Sequence, residues 1–390
     1  KTFLGNEQKR AINNIEHSMV ARQVAIEGVV LLKNKDNFFP LNTTQKLTIA
    51  VIGENAVKSM TTGGGSSELK ANYEISPLEG IKKRFKNASI IFSKGYTSED
   101  TSQSRKSLIN EALVTASMAD VVLFFGGLNK NRGQDCEAAD REELKLPYNQ
   151  DYLIAELQKV NPNIGVVLVS GNAVSMPWIY DVKTVFQAWY LGSEAGNAIA
   201  DIISGDSNPS GKLPFSFPVK LSDNSAHFFG ELSYPGDGET QYYKDDILVG
   251  YRWHDTKNIR PLFSFGHGLS YSSFEITDIK SDKKIYEASD SINITYKLKN
   301  TGSKDGAEVV QVYVGKSNSK VTRALKELKG FKKTFLKYGK QTKEEIIINV
   351  SDLSFYNESI SGWDLERGDY AIYVGNASNA ISKLMIIKIK

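Results

Sequence analysis

The sequence predicts an α/β domain built on a mostly parallel sheet, followed by an all-β sandwich. Two patterns carry this prediction. Up to about residue 218, short apolar, β-branched runs alternate with helical patterns, as in parallel sheets that are covered by helices on both faces. From about residue 274 the helical patterns stop and short strands follow one another at near-even spacing, which is typical of a β-sandwich.

The first region consists of residues 1–218. Residues 1–29 are predicted to form a linker helix, whose amphipathic part (7–28) carries apolar side chains at helical spacing: Ile12, Ile15, Met19, Val20 and Val24. Residues 30–218 are predicted to form the α/β domain. Its strands are the buried runs at 46–53, 88–95, 120–127, 164–171 and 184–190, and its helices lie at 76–85, 103–118, 148–160 and 193–204.

The second region begins with an aromatic-rich connection, residues 219–269, in which no clear periodicity appears. Residues 270–390 then contain seven predicted strands, several with period-2 alternation, at 274–281, 291–300, 307–315, 325–336, 343–350, 369–375 and 382–390. This spacing predicts a sandwich of the immunoglobulin or fibronectin kind. The segment 251–274 is predicted to pack between the two domains.

Composition excludes several classes of function. A chain of 390 residues exceeds what one core usually supports, so two domains are expected. The net charge of +3 gives no electrostatic case for binding nucleic acid or an anionic membrane, and no apolar stretch is long enough for a membrane span. The single Cys136 excludes a disulfide framework, and the four histidines show no metal spacing. We therefore predict no metal site and no cofactor.

Three loops follow predicted parallel strands at their carboxyl ends, where open α/β sheets bind ligands. The first, TTGGGSS (61–67), has three glycines that permit close backbone approach or positive φ. A phosphate loop is excluded because GxxxxGK[ST] is absent, while a ligand contact and a plain flexible loop both remain open. The third loop, SGNAVSMPW (170–178), begins with a tight turn.

The second loop carries an unusual density of charge in the stretch GQDCEAADREELKLPYNQ (133–150). Asp135 and Glu137 stand two residues apart. The notion that they act as a catalytic pair on one bond is disfavoured, because we expect their side chains not to converge on the same bond. A calcium loop is excluded because the later oxygen ligands are lacking. Arg141 is expected to pair with a nearby carboxylate rather than contact substrate. From these residues alone, one catalytic carboxylate and none remain equally open.

Read together, ordered blocks along almost the whole chain resemble glycoside hydrolase family 3. They include ARQVAIEGVVLLKNKDNFFPL, AVIGENA, GGGSS with ISPLEGI, CEAADREELKLPYNQ, SGNAVSMPW, WYLGSEAGNAIADIISGDSNPSGKLPFSFP, VGYRWHD and PLFSFGHGLSYSSF. The tail, with LKNTGSKDGAEVVQVYVG, LKGFKKTFL and WDLERGDYAIYVG, resembles the family's fibronectin III-like domain.

The resemblance implies a retaining mechanism with two carboxyl groups from different domains. The nucleophilic Asp belongs to a TIM barrel that precedes this region in the family and lies outside these 390 residues. The general acid/base is a Glu four residues before an Arg, which here is Glu137 before Arg141, with Asp135 as the second candidate. The resemblance further implies a weaker set of substrate-contacting residues: Gly64, Gly65, Ser66, Ser67 and Arg141.

The resulting interpretation is the C-terminal part of a β-glucosidase-like enzyme, catalytically incomplete as this chain alone. Its expected partners are a β-linked oligosaccharide or glycoside and the barrel, as a domain or a separate chain. A β-xylosidase of the same family and a non-catalytic module that has lost its barrel are the alternatives. We expect a secreted or periplasmic protein. The fibronectin-like domain shows no obvious sugar-binding aromatic cluster in sequence, so we expect it to give mechanical support.

Overall fold

The first domain is built on one six-stranded sheet. The computed structural model describes residues 15–58, 60–99 and 102–390. The strand order is β1-β6-β5-β4-β2-β3, all parallel except β1, which pairs antiparallel with β6 at one edge. The strands are β1 (Val30–Asn34), β2 (Thr48–Ile52), β3 (Ser89–Ser93), β4 (Val121–Gly127), β5 (Ile164–Val169) and β6 (Thr184–Gln187).

Helices cover both faces of this sheet. They are α1 (Ile15–Gly28), α2 (Pro77–Arg84), α3 (Ser102–Ser117), α4 (Gln150–Val160) and α5 (Ala195–Ser204). Buried side chains of α1, α2 and α5 form one core cluster with the strands, and those of α3 and α4 form the other. The central strands β4 and β5 are fully buried, because a parallel sheet between two helical layers exposes neither face. The predicted α/β class is confirmed.

The second domain is the predicted β-sandwich. Its sheets have the orders β11-β10-β15-β16-β8 and β12-β9-β7, with a separate hairpin of β13 and β14. The strands are β7 (Phe274–Ser281), β8 (Ile285–Tyr286), β9 (Ser291–Asn300), β10 (Gly306–Lys316), β11 (Glu327–Leu336), β12 (Gln341–Asn349), β13 (Phe355–Asn357), β14 (Gly362–Asp364), β15 (Gly368–Ala377) and β16 (Ala380–Ile389). All seven predicted strands are present.

Four features differ from the predictions. Strands β1, β8, β13 and β14 were not predicted, and the connection contains two short helices, α6 (Ser225–Phe228) and α7 (Tyr251–Lys257). In α1 the apolar residues at helical spacing, such as Met19 and Val24, are exposed, and the helix packs through Ala25 and Ile26. The predicted Ile12 lies outside the described residues.

The fourth difference is an aromatic pair on the surface of the second domain. Tyr356 and Trp363 face each other across the β13–β14 hairpin with ring centroids 5.9 Å apart. Trp363 is 74% exposed. The sequence shows no sign of this pair, because a three-residue hairpin too short to show a strand pattern brings the two rings together. Mechanical support by this domain stays a prediction.

The connection contacts both domains. The ring of Tyr251 stacks on that of Phe265, with centroids 4.7 Å apart, and packs edge-on against the ring of Tyr313 in β10, with centroids 5.8 Å apart. On the other side, Phe263 contacts Phe217 of the α/β domain at 6.4 Å. The prediction that residues 251–274 pack between the domains is confirmed.

A buried ion pair joins the two domains directly. Lys212 Nζ lies 2.7 Å from Glu308 Oε1, with side chains 13% and 9% exposed. Lys212 also donates to the carbonyl of Gly268, and Glu308 accepts from Asn376 Nδ2. Burial of these charges is tolerated because each has a charged partner and a further hydrogen bond.

None of the described helices is long and apolar enough to cross a bilayer.

We expect Lys212→Met to destabilise the protein by about 3 kcal/mol, because Glu308 is left as an uncompensated buried charge. Calorimetry should show a lower melting temperature and separated transitions for the two domains. In the control, Lys159→Met removes a solvent-exposed pair with Glu156 and should cost about 0.5 kcal/mol or less. Equal effects of the two substitutions would contradict this account of the domain contact.

Candidate functional site

Loops from four strands meet at the carboxyl edge of the six-stranded sheet. They follow β2, β4, β5 and β6, which are parallel and therefore end at the same edge. The loop after β4 includes residues 133–144, which we call the carboxylate loop. It contains no helix or strand, so its position depends on side-chain and main-chain contacts with its neighbours.

Asp135 forms hydrogen bonds to the loops after β2, β5 and β6. Its Oδ2 accepts from the N–H of Gly171 and the hydroxyl of Tyr190, both at 2.7 Å, and its Oδ1 accepts from Asn172 Nδ2 at 2.9 Å. Its main-chain carbonyl accepts from the N–H of Gly64 at 2.9 Å. Both carboxylate oxygens are therefore occupied by donors from neighbouring loops. Burial and the nearby Asp135 charge raise the pKa of Tyr190, which keeps its hydroxyl a donor.

Glu137 is an exposed carboxylate of the loop, and it is held by the glycine-rich segment. Its Oε2 accepts from the N–H of Ser66 at 2.7 Å and from the Ser66 hydroxyl. These hydrogen bonds lower the pKa of Glu137 because they stabilise the charged form, and the bond from the hydroxyl has the larger effect. In this chain Glu137 is thus an ionised, accessible base at neutral pH.

The segment 61–67, which we call the glycine loop, packs closely against the loop after β4. A Cβ added at Gly64 would lie 2.9 Å from the carbonyl oxygen of Lys130. Gly65 has a φ of 81°, in the left-handed region, and a Cβ there would overlap the Cβ of Glu137. The close backbone approach expected of these glycines therefore exists, and it is made to a neighbouring loop of the same chain.

Arg141 is held differently from the prediction. Its Nε and Nη2 donate to the carbonyl of Glu143 at 3.0 and 2.9 Å, and its Nη1 donates to the carbonyl of Ala173 at 3.0 Å. Across the described residues it forms no ion pair, so the expected carboxylate partner is wrong; Asp135, the carboxylate next to it, already takes three other donors. Burial lowers the pKa of Arg141. Its three donor nitrogens fasten the end of the carboxylate loop.

A cleft of about 730 Å³ lies between the carboxylate loop and the connection. Gly63, Gly64 and Ser67 of the glycine loop line it. The side chains of the other elements that face it include Asp135, Cys136, Asp140, Arg141, Asn172, Tyr190, His227, Tyr234 and His254. Glu137, Gly65 and Ser66 are not among the described residues that line it.

Sequence reasoning missed the partners that hold the loop. Tyr190 lies 55 residues from Asp135, and Tyr234, which hydrogen-bonds Asp140, lies 94 residues away. No local pattern marks such pairs. The only signal was that Tyr190 ends one predicted parallel strand and Asn172 follows another, since the carboxyl ends of parallel strands share an edge.

The arrangement offers several exposed carboxylates on one loop, namely Glu137, Asp140, Glu142 and Glu143. Asp135 is occupied by its three donors, and Glu137 is turned toward Ser66. Among residues 15–58, 60–99 and 102–390, no three His, Cys, Asp or Glu side chains come together in a group that could hold a metal ion. This edge of the sheet can supply one proton-transfer group to a reaction whose other group comes from elsewhere.

Two family models match the chain. One, described as the glycosyl hydrolase family 3 C-terminal domain, matches residues 29–271. The other, described as a fibronectin type III-like domain, matches residues 308–378. Together they reach from the α/β domain into the β-sandwich, in the order that the ordered sequence blocks predicted.

Named relatives resemble the whole chain. Beta-glucosidase BoGH3A of Bacteroides ovatus is 43% identical over 385 residues, which cover 95% of this chain and 51% of the relative. Thermostable beta-glucosidase B of Acetivibrio thermocellus is 42% identical over 94% of this chain and 47% of the relative. The crystal structure of a Bifidobacterium adolescentis GH3 beta-glucosidase has a TM-score of 0.89 at 34% identity, over 98% of this chain and 55% of that one. The chain thus spans about half the length of these relatives.

We expect Ser66→Ala to raise the pKa of Glu137 toward its ordinary value, because both the hydroxyl donor and the fit of the loop are affected. Carbon-13 NMR titration of glutamate-labelled protein measures this. Ser67→Ala is the control, since the Ser67 hydroxyl donates to the carbonyl of Gly64 and not to Glu137. An unchanged pKa in Ser66→Ala, or an equal shift in Ser67→Ala, would show that Ser66 does not set the charge of Glu137.

Proposed function

Because the chain belongs to glycoside hydrolase family 3, we propose that it supplies the general acid/base of a retaining β-glycosidase, and that this group is Glu137. The observation that carries the proposal is the contrast between two carboxylates of one loop. Glu137 is exposed and held only by Ser66, whereas Asp135 accepts three hydrogen bonds from its neighbours. A group that protonates a substrate must be reachable from outside.

The nucleophile belongs to the rest of the enzyme. In retaining glycosidases the two carboxyl groups stand roughly 5–5.5 Å apart across the scissile bond. We assign the nucleophile to the barrel that precedes this region in the family. Its carboxylate attacks the anomeric carbon while Glu137 gives its proton to the departing glycosidic oxygen. Glu137 then takes a proton from water, which attacks the same carbon and releases the nucleophile.

Glu137 must be protonated for the first step, although its pKa is lowered in this chain. Two changes on assembly raise the pKa: burial beneath the barrel, and the negative charge of the nucleophile nearby. Exchange of Ser66 for the glycosidic oxygen also removes the hydrogen bonds that favour the carboxylate. After the leaving group departs, the carboxylate form is the one that the second step needs.

Exposed apolar surface supports an extensive contact with the other half of the enzyme. The outward face of α1 carries exposed side chains, namely Ile15, Met19, Val20 and Val24. The connection adds Tyr242, Tyr243, Ile247 and Val249. Soluble proteins rarely leave large contiguous apolar surface bare, so we propose that the barrel covers part of it.

The substrate class is a terminal β-linked sugar on an oligosaccharide or glycoside, with β-glucosides first. The relatives named beta-glucosidase, at 42–43% identity, favour this choice. The sugar-binding pocket that separates a glucoside from a xyloside lies mainly in the barrel, so β-xylosidase activity is the alternative within the family. Secretion or a periplasmic location stays a prediction, and so do contacts of Gly64, Gly65, Ser66, Ser67 and Arg141 with substrate.

In the barrel-containing enzyme, Glu137→Gln should lower the kcat for disaccharides by about 100- to 10,000-fold, since general acid catalysis contributes that much. Aryl glycosides with good leaving groups should still form the covalent intermediate. Added azide should then speed turnover by attacking that intermediate without a general base. Stopped-flow release of the phenol and steady-state rates measure both steps.

Glu142→Gln is the matched control, an exposed carboxylate of the same loop, and should stay near the parent rate. Asp135→Asn should slow both substrate types without azide rescue, because it loosens the loop. Azide rescue in Asp135→Asn, together with near-normal disaccharide hydrolysis in Glu137→Gln, would move the assignment to Asp135.

The 390-residue chain by itself should hydrolyse neither disaccharides nor aryl β-glucosides, because it holds one member of a pair that acts as a unit. Assays of the purified chain, with and without the separately produced barrel, test this. Activity of the chain alone would overturn the proposed division of the catalytic groups. Binding of the barrel without activity would support a non-catalytic module.

A further inference from the structure

The carboxylate loop is fastened from several sides. Asp135 ties its beginning to the loops after β5 and β6, and Arg141 ties its end to the carbonyls of Glu143 and Ala173. Between them Glu137 contacts Ser66, and Ala138 adopts a φ of 60°. Among the described residues, one side-chain hydrogen bond reaches the loop from the connection, and it is made to Asp140.

That contact is a hydrogen bond from the hydroxyl of Tyr234 to Oδ2 of Asp140. The Tyr234 ring packs against the His227 ring with centroids 4.8 Å apart. The main-chain N–H of Tyr234 donates to the carbonyl of Gly230. The hydrogen bond to Asp140 raises the pKa of Tyr234, so the hydroxyl remains a donor at neutral pH. The donor is therefore itself held in place by its own segment.

The connection is in turn fixed to the fibronectin-like domain. The hydroxyl of Tyr251 accepts from the N–H of Leu328 at 2.8 Å. Asp255 forms a 2.6 Å ion pair with Lys326, and both side chains are largely buried. A small core of Leu248, Trp253 and Ala324 closes the contact. A continuous set of contacts thus runs from the second domain to the loop of Glu137.

We propose that Tyr234 is a positioning residue that latches the carboxylate loop through Asp140. The proposal rests on the function proposed for Glu137. When Glu137 leaves Ser66 for the glycosidic oxygen, the loop loses one of its contacts, and Asp135, Asp140 and Arg141 must hold it. Asp140 lies three residues from Glu137, on the side that faces the connection. Its bond to Tyr234 keeps the proton donor within reach of the substrate.

The latch is tested first on the 390-residue chain, without any activity measurement. Tyr234→Phe and Asp140→Ala should each speed amide hydrogen exchange in peptides covering 133–144 by about fivefold, the effect of one ordinary hydrogen bond. The double variant should exchange no faster than either single variant, because both remove the same bond. Asp140→Asn keeps an acceptor oxygen and should stay near the parent rate.

Tyr243→Phe is the matched control. Tyr243 lies in the same connection, and its hydroxyl has no hydrogen-bond partner in the part of the chain that the structure describes. Equal rates of amide hydrogen exchange in 133–144 for Tyr234→Phe and Tyr243→Phe would overturn the proposal that Tyr234 latches the loop. So would additive effects of Tyr234→Phe and Asp140→Ala.

The second readout uses the barrel-containing enzyme. Tyr234→Phe should lower the kcat for disaccharides about tenfold at unchanged KM, since a small displacement of a catalytic group is costly. Formation of the covalent intermediate from aryl glycosides with good leaving groups, measured as the stopped-flow release of the phenol, should not change, because that step needs little protonation. An equal loss on both substrates would show a merely structural role and overturn the proposal. If Glu137→Gln proves fully active, the proposed function fails, while the exchange experiment still decides whether the latch exists.

Discussion

The site depends on one carboxylate that does no proposed chemistry. Asp135 brings together the loops after β2, β4, β5 and β6, through two oxygens and one main-chain carbonyl. The parallel sheet places these loops at one edge, but a sheet edge alone does not set their mutual distances. Asp135 does, because its hydrogen bonds join the loops after β2, β5 and β6 to its own loop. The approach of Gly65 to Glu137 is possible only once these loops are joined.

Charge is used in two ways in this molecule. Between the domains, charges are buried and paired, as in Lys212 with Glu308 and Lys326 with Asp255. Such pairs define one arrangement of the domains, because any other leaves a buried charge unpaired. At the edge of the sheet, by contrast, Glu137 is left exposed and bound only by a serine. Its acidity can therefore respond to what approaches it, whereas the charges between the domains cannot change their state without loss of stability.

Most strands of the fold could be predicted because buried β-branched runs mark them locally. Strand β1 escaped prediction because it is a five-residue antiparallel edge strand that begins only two residues after Gly28, the end of α1. Helix α7 escaped because contacts of Tyr251 and Trp253 with distant residues stabilise it rather than its own periodicity. At the site, the ordered sequence block led to the proposal of Glu137, which stays a prediction. The hydrogen bond of Glu137 to Ser66, 71 residues away, could not be predicted, because only the folded sheet brings the two together.

The interlocking of Gly64 and Gly65 with the carboxylate loop has a consequence for how such a protein can diverge. A side chain at either glycine collides with the opposite loop, and an inserted residue in one loop displaces Glu137 from Ser66. The two segments therefore cannot drift independently: a change in the length of one is tolerated only with a matching change in the other.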